Sequence, residues 1–202
     1  MTGKICCNQI RYILLLAMST ACNTATYSPE ELEAYVIEPK NGLFKVATSG
    51  RISYEVKYLP AELVASREIE SGELTIDTLQ YLLDKYRKSV LFEVAISSAG
   101  KEILSFNREN ASYGETLQSL AFGMEKNIYL ITSRDTLYPN AYMLDRTYGL
   151  GNTTKVLVAF PNLYSSDVQM VLKEIGVGAG TNRFHFRRCD LETKHRVELA
   201  RK

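Results

Sequence analysis

Apolar and polar residues follow two different periods along this chain. Between positions 51 and 58, the apolar side chains of Ile52, Tyr54 and Val56 alternate with polar ones, which is typical of a strand with one buried face. Farther on, apolar residues recur at spacings of three and four, at Leu79, Leu82, Leu83 and Tyr86. This second spacing predicts a helix over about 76–88 whose apolar side lies on a core.

Cap and turn residues divide the rest of the N-terminal half. Ser28, Pro29 and Glu31 predict a helix start, because Ser can cap it, Pro suits its first position and Glu completes a capping box. Pro39 ends this helix. The remaining predicted elements are a hairpin of strands 43–48 and 51–58, a helix from 60 to about 67, a strand over 90–97 and one helical turn within 101–106. The strand at 90–97 is apolar on both faces at its start, which predicts a central position in a sheet.

The C-terminal half consists of short apolar segments separated by turn residues. They predict strands over 128–132, 141–148, 155–160, 168–175 and 183–187. Residues 115–124 fit both a helix and a strand, and we predict a strand because Gly123 is unfavourable in a helix. The mostly charged residues 190–202 predict a helical tail. Together the elements predict a β-rich α+β fold, an antiparallel β-sandwich-like domain with two or three helices in the N-terminal half.

The first residues have the order of an export signal. Lys4 and Arg11 are basic, residues 12–18 form a short apolar run, and small residues precede Cys22. The run is much shorter than the roughly 20 residues of a spanning helix. This segment resembles the leader of a bacterial lipoprotein, in which the Cys becomes the first residue and carries the lipid. Ser19 stands where that motif has Leu, and an ordinary cleaved signal peptide is the alternative.

The resemblance implies a division of the chain and a location. We predict a signal peptide over 1–21, a lipidated Cys22 with a tether over 22–30, and a single β-rich globular domain over 31–202. Asn23 follows the Cys, whereas in such lipoproteins Asp at that position favours retention in the inner membrane. The resemblance therefore implies attachment to the bacterial outer membrane, with the domain facing the periplasm or the cell surface.

The charge balance limits the partners that can be expected, and the cysteines limit the possible disulfides. The chain has 24 Lys and Arg and 23 Asp and Glu, and this near balance gives no electrostatic reason to expect nucleic acid. Cys6 and Cys7 would leave with the leader, so Cys22 and Cys189 remain. If Cys22 is lipidated, Cys189 has no partner for an internal disulfide; otherwise a bridge between these two is conceivable.

The familiar motifs of catalysis and cofactor binding are missing from the sequence. Gly176, Gly178 and Gly180 invite a dinucleotide interpretation, but position 181 is Thr and a strand follows. No zinc-protease, serine-hydrolase or calcium-loop motif occurs. We therefore assign no catalytic residue, no metal and no cofactor. Carboxylates in or near predicted loops, at Glu109, Glu115, Asp135 and Asp145, leave an envelope hydrolase as the alternative.

One cluster of cations is a candidate binding site. His185 alternates with Phe184 and Phe186 and should face outward. We predict a strip that binds an anion or a partner, formed by Arg183, His185, Arg187 and Arg188. A solvated strand face is the alternative. The sequence thus predicts a lipid-anchored envelope protein that binds another envelope protein or a glycan without catalysis, as an accessory or assembly subunit.

Overall fold

The computed structural model describes residues 26–70, 76–106, 113–145, 151–162, 167–193 and 195–197. Its helices are α1 (Pro29–Ile37), α2 (Ala61–Glu70), α3 (Ile76–Tyr86), α4 (Ile103–Phe106), α5 (Tyr113–Phe122), α6 (Met124–Asn127) and α7 (Arg188–Leu191). Its strands are β1 (Thr26–Tyr27), β2 (Phe44–Ser49), β3 (Ile52–Leu59), β4 (Ser89–Ser98), β5 (Lys101–Glu102), β6 (Ile128–Ile131), β7 (Thr136–Leu137), β8 (Ala141–Asp145), β9 (Thr154–Pro161), β10 (Val168–Leu172), β11 (Asn182–Phe186) and β12 (Arg196–Val197).

Two antiparallel sheets share one core. The larger sheet has the strand order β2-β3-β4-β9-β8, with β5 added to β4, and the smaller has the order β11-β10-β6-β7. Phe92 on β4 meets Phe160 on β9 and Phe186 on β11, at ring distances of 6.0 and 5.1 Å. All three rings are fully buried. The predicted β-rich, sandwich-like α+β fold is confirmed, and β4 has the central position predicted for it.

A helical layer covers part of the outer face of the larger sheet. Leu32 and Val36 of α1 and Leu63 of α2 pack with Leu59 of β3 and Leu91 of β4 in a second apolar cluster. Helix α3 packs in turn on α2. The three helices predicted in the N-terminal half are therefore present, and they leave the other part of that sheet face open. Among the described residues, no helix is long and apolar enough to cross a membrane.

The capping residues predicted at the start of α1 form the expected hydrogen bonds. The Ser28 hydroxyl accepts a hydrogen bond from the Glu31 amide at 3.2 Å, and the Glu31 carboxylate accepts one from the Ser28 amide at 2.8 Å. Pro39–Asn41 form a 3-10 turn after the helix, and Gly42 ends it at φ +75°. Gly42 lies against the Asp190 carboxylate, leaving no room there for a Cβ.

The predicted strand over 115–124 is wrong, because residues 113–122 form helix α5. Thr116 and Leu120 are the buried residues of that helix, while Gln118 between them is exposed; in a strand Gln118 would share their face. Gly123 lies between α5 and α6, and its N–H bonds to the Ser119 carbonyl at 3.0 Å. The glycine that argued against a helix therefore marks the end of one.

The two ends of the described chain also differ from the prediction. Thr26 and Tyr27, which the sequence assigned to the tether, pair as a parallel strand with Arg196 and Val197. The charged tail contains the four-residue helix α7 and then strand β12, rather than one continuous helix. Residues 194 and 198–202 lie outside the described residues, as does the predicted leader with Cys22. The predictions for the leader and for Cys22 stay predictions.

Candidate binding cleft

A cleft opens where the helical layer ends on the outer face of the larger sheet. Its volume is about 530 Å³, within the range of small-molecule sites. The residues that line it are Glu33, Lys57, Leu59, Val64, Arg67, Glu93, Met143, Asp145, Lys155 and Leu157. We call this site the α1–α2 cleft.

Strand alternation explains why these side chains share one surface. Lys57, Glu93 and Leu157 are directly opposite one another on β3, β4 and β9. Their neighbours along each strand, such as Val56 and Val94, point to the other side and are buried in the core. Lys155 and Asp145 form the next cross-strand pair, on β9 and β8. The floor of the cleft is therefore fixed by the register of four strands.

Glu93 is the charged centre of that floor. Its Oε1 accepts a hydrogen bond from Lys57 Nζ at 3.2 Å and lies 3.9 Å from Lys155 Nζ. The side chains of Glu93 and Lys57 are 15% and 19% exposed, so this pair is less screened by water than a surface ion pair. A ligand that reaches the floor meets one carboxylate between two ammonium groups.

The rim and walls combine a second ion pair with apolar surface. Arg67 on α2 donates to Glu33 on α1 at 2.7 Å, which joins the two helices above the sheet. Met143 is 60% exposed and lies on the opposite side, on β8. Methionine is flexible and polarizable, and it adapts to differently shaped partners. The α1–α2 cleft therefore offers both signs of charge beside an adaptable apolar wall.

Of the acids named from the sequence, only Asp145 lies in this cleft. Glu115 is exposed on α5, and Asp135 lies in the turn that Thr132 caps. Glu109 lies outside the described residues. Sequence reasoning missed Glu93, although a charged residue amid the apolar residues of a central strand was a usable signal. In the described part of the chain, no group of three or more His, Cys, Asp or Glu could hold a metal ion.

The predicted cation strip lies on and just after β11, away from the cleft. Arg183, His185, Arg187 and Arg188 are all exposed, as predicted. Arg183 donates to the side-chain amide oxygen Oε1 of Gln169 at 2.9 Å, and His185 lies 3.8 Å from the Asp167 carboxylate. Arg187 forms two hydrogen bonds to Asp190, and Arg188 forms one to Glu192. An anion would compete with these carboxylates, and anion binding by the strip stays a prediction.

The glycine-rich loop has an organising partner that the sequence did not suggest. The Glu174 carboxylate accepts hydrogen bonds from the backbone N–H groups of Ile175, Val177, Gly178 and Gly180. Such a ring of N–H groups is a typical anion-binding nest. Partial desolvation acts to raise the pKa of the Glu174 carboxyl, but the backbone N–H donors of the loop, among them Val177, Gly178 and Gly180, outweigh it and hold that pKa below its usual value. The loop therefore binds an anion supplied by its own chain.

Comparison with known proteins defines no family for this chain. No family model matches it, and no curated protein matches it. A DUF4426 family protein from Pseudomonas aeruginosa PAO1 is 11% identical, with a TM-score of 0.40, covering 71% of this chain and 91% of that one. A "putative lipoprotein" from Staphylococcus aureus is 11% identical, with a TM-score of 0.28, covering 78% of this chain and 99% of that one. Sequence identities and TM-scores this low assign no activity to this chain.

Proposed function

We propose that this chain is an exported protein, anchored to the outer membrane by a lipid on Cys22, that binds a partner or ligand in the α1–α2 cleft without catalysis. The cleft is the observation that carries the proposal. It combines the charged group Lys57, Glu93 and Lys155 with the apolar surface of Leu157 and Met143. Fixed charges of both signs give orientation and specificity to a bound molecule.

The anchor would hold the cleft close to a membrane. Strand β1 begins at Thr26, only four positions after Cys22. Even a fully extended segment of four residues spans at most about 14 Å. A domain on so short a tether would meet partners at or near the membrane surface, which suits an accessory or assembly subunit of the envelope.

An envelope hydrolase is the alternative, and Glu93 and Asp145 would be its carboxylates, because both line the cleft. A general acid or base must be able to reach the substrate and exchange a proton with it. Glu93 Oε1 already bridges Lys57 and Lys155. This arrangement favours a role for Glu93 in recognition and in fixing the floor of the cleft.

Site-specific photocrosslinking in intact envelopes tests the proposal. A photoreactive amino acid replaces Met143 at the cleft or, as the matched control, Tyr81, which is 68% exposed on α3. We expect a discrete adduct from position 143 and none of that size from position 81. Lys155→Glu, which reverses one charge of the floor, should reduce that adduct at least several-fold. The same adduct from both positions, or an adduct indifferent to Lys155→Glu, would contradict binding in the cleft.

A further inference from the structure

The N-terminal and C-terminal segments of the domain are joined by a small parallel sheet. Thr26 pairs with Arg196 and Tyr27 with Val197. His195 directly precedes this pairing, and β12 packs against α2 while β1 packs against α1. We call residues 26–27 together with 195–197 the terminal latch. Two paired residues on each side provide little hydrogen bonding, so the packing around His195 must contribute much of the stability of the latch.

His195 is enclosed by aromatic rings rather than by hydrogen-bonding groups. It is 5% exposed, and its ring meets those of Tyr27 and Tyr35 edge-on at centroid distances of 5.7 and 4.9 Å. Both ring nitrogens are buried without a hydrogen-bond partner in the described part of the chain. A buried polar atom without a partner is costly, and a buried charge without one costs far more. The surroundings therefore tolerate the neutral imidazole and disfavour the imidazolium.

Two acids that act electrostatically on this aromatic cluster, Glu62 and Asp190, are each paired with an arginine. Glu62 of α2 acts on His195 from a distance, but its Oε1 is 2.9 Å from the Arg87 guanidinium. Asp190 of α7 lies near the same aromatic cluster, and both of its oxygens accept hydrogen bonds from Arg187.

The Tyr35 side chain does not supply a counter-ion either. Burial raises the pKa of Tyr35, which keeps that phenol neutral. For His195, burial lowers the pKa and the charge of Glu62 offsets part of this effect.

We propose that the terminal latch is a pH-sensitive switch, closed while His195 is neutral and opened when His195 binds a proton. Opening separates β1 from β12 and exposes Tyr27 and Tyr35. In the anchored protein it would also lengthen the segment between Cys22 and the domain. The switch would lie at the junction between anchor and domain, and it depends neither on the α1–α2 cleft nor on its ligand.

Proton linkage determines the direction and the size of the change in latch opening with pH. Because the pKa of His195 is lowered in the closed latch, the open state binds the proton more tightly, and closure weakens as pH falls below the ordinary value near 6.5. Between pH 7.5 and pH 5.5 the opening constant should rise by up to about tenfold. It should level off only below the pKa of the closed state.

Hydrogen exchange of the purified chain, followed by mass spectrometry, tests this switch. Exchange of the peptides that contain residues 26–27 and 195–197, corrected for the intrinsic dependence on pH, should accelerate several-fold from pH 7.5 to 5.5. Peptides of the central strand β4 should not change. His195→Phe keeps an aromatic ring but has no group that can bind a proton, so it should abolish the acceleration. His185→Gln, at the other His of the chain and on the exposed face of β11, should leave it intact.

A second measurement keeps the proposal testable if His195→Phe folds poorly. In the wild-type chain, the NMR signal of the His195 Cε1 proton should titrate below pH 6.5, with the latch amides following the same curve. Latch exchange that is independent of pH in the wild type would overturn the proposal. An acceleration that persists unchanged in a folded His195→Phe variant would do so as well.

Discussion

Replacing Glu174 by Gln should loosen the glycine-rich loop and lower the stability of the whole domain. The substitution keeps the shape of the side chain but removes its negative charge. Gln also presents an NH₂ group to one or more of the N–H donors of Val177, Gly178 and Gly180. Two donors then face each other, and the loop loses both a charge-assisted bond and an acceptor.

The expected cost follows from the number and exposure of these bonds. Two of them, from Val177 and Gly178, measure 2.7 and 2.9 Å, and hydrogen bonds to charged groups contribute about 1.5–3 kcal/mol each. Glu174 is exposed, so solvent screening reduces this contribution. We expect a loss of about 1–2 kcal/mol in the free energy of unfolding. For a domain of this size, that loss lowers the Tm by about 2–8 °C.

The pH dependence of this loss of stability is a sharper test than its size at neutral pH. The folded-state pKa of Glu174 is lowered, so its contribution is complete above the unfolded-state pKa near 4.5 and disappears as pH falls through the folded value. At pH 7, thermal unfolding should give a lower Tm for Glu174→Gln than for the wild type. This difference in Tm should disappear on acidification below about pH 4.5. Glu125→Gln, at an exposed position of α6, is the matched control. Equal Tm values for Glu174→Gln and Glu125→Gln, or a gap that persists at low pH, would refute the reasoning.

Two further predictions concern the α1 turn and the anchor. Gly42→Ala should lower the free energy of unfolding by about 1–3 kcal/mol, because its Cβ would collide with Asp190; Gly50→Ala, also at positive φ but with open space around it, should cost less. Chemical denaturation compares the two, and equal losses would show that the Asp190 contact is unimportant. Metabolic labelling with a palmitate analogue should mark the wild type and Cys189→Ala but not Cys22→Ala. An unlabelled wild type would exclude the lipid anchor.

Local sequence patterns determined the elements whose stabilising contacts are close along the chain. The capping box at Ser28 and Glu31 joins residues three positions apart, so α1 could be predicted from those residues alone. The alternation of Ile52, Tyr54 and Val56 likewise fixed which face of β3 is buried. The apolar character of both faces of 90–97 indicated its central place in the sheet.

The candidate site was less accessible to such reasoning, because its residues come from distant parts of the chain. Glu33, Glu93 and Asp145 line one cleft, yet only the sheet register and the packing of α1 and α2 bring them together. The sequence indicates Asp145 as a candidate acid, but no residue near it along the chain identifies the other residues of the cleft. The strand predicted over 115–124 is wrong for a related reason. Two periods fitted the same residues, and the exposure of Gln118 between the buried Thr116 and Leu120 distinguishes the helix.

The sequence by itself determined the β-rich class of the domain, its three N-terminal helices and the resemblance of its first 22 residues to the leader of a lipoprotein, since each of these depends on neighbouring residues. The tertiary structure alone decided the α1–α2 cleft, the carboxylate nest at Glu174 and the terminal latch around His195. The cleft depends on strand register, and the latch depends on burial and on pairing between distant segments. The nest lies within residues 174–180 and depends on the positive φ angles of Gly176, Gly178 and Gly180. The free energy of such an arrangement depends on which groups exclude water from one another, and only the folded chain specifies that.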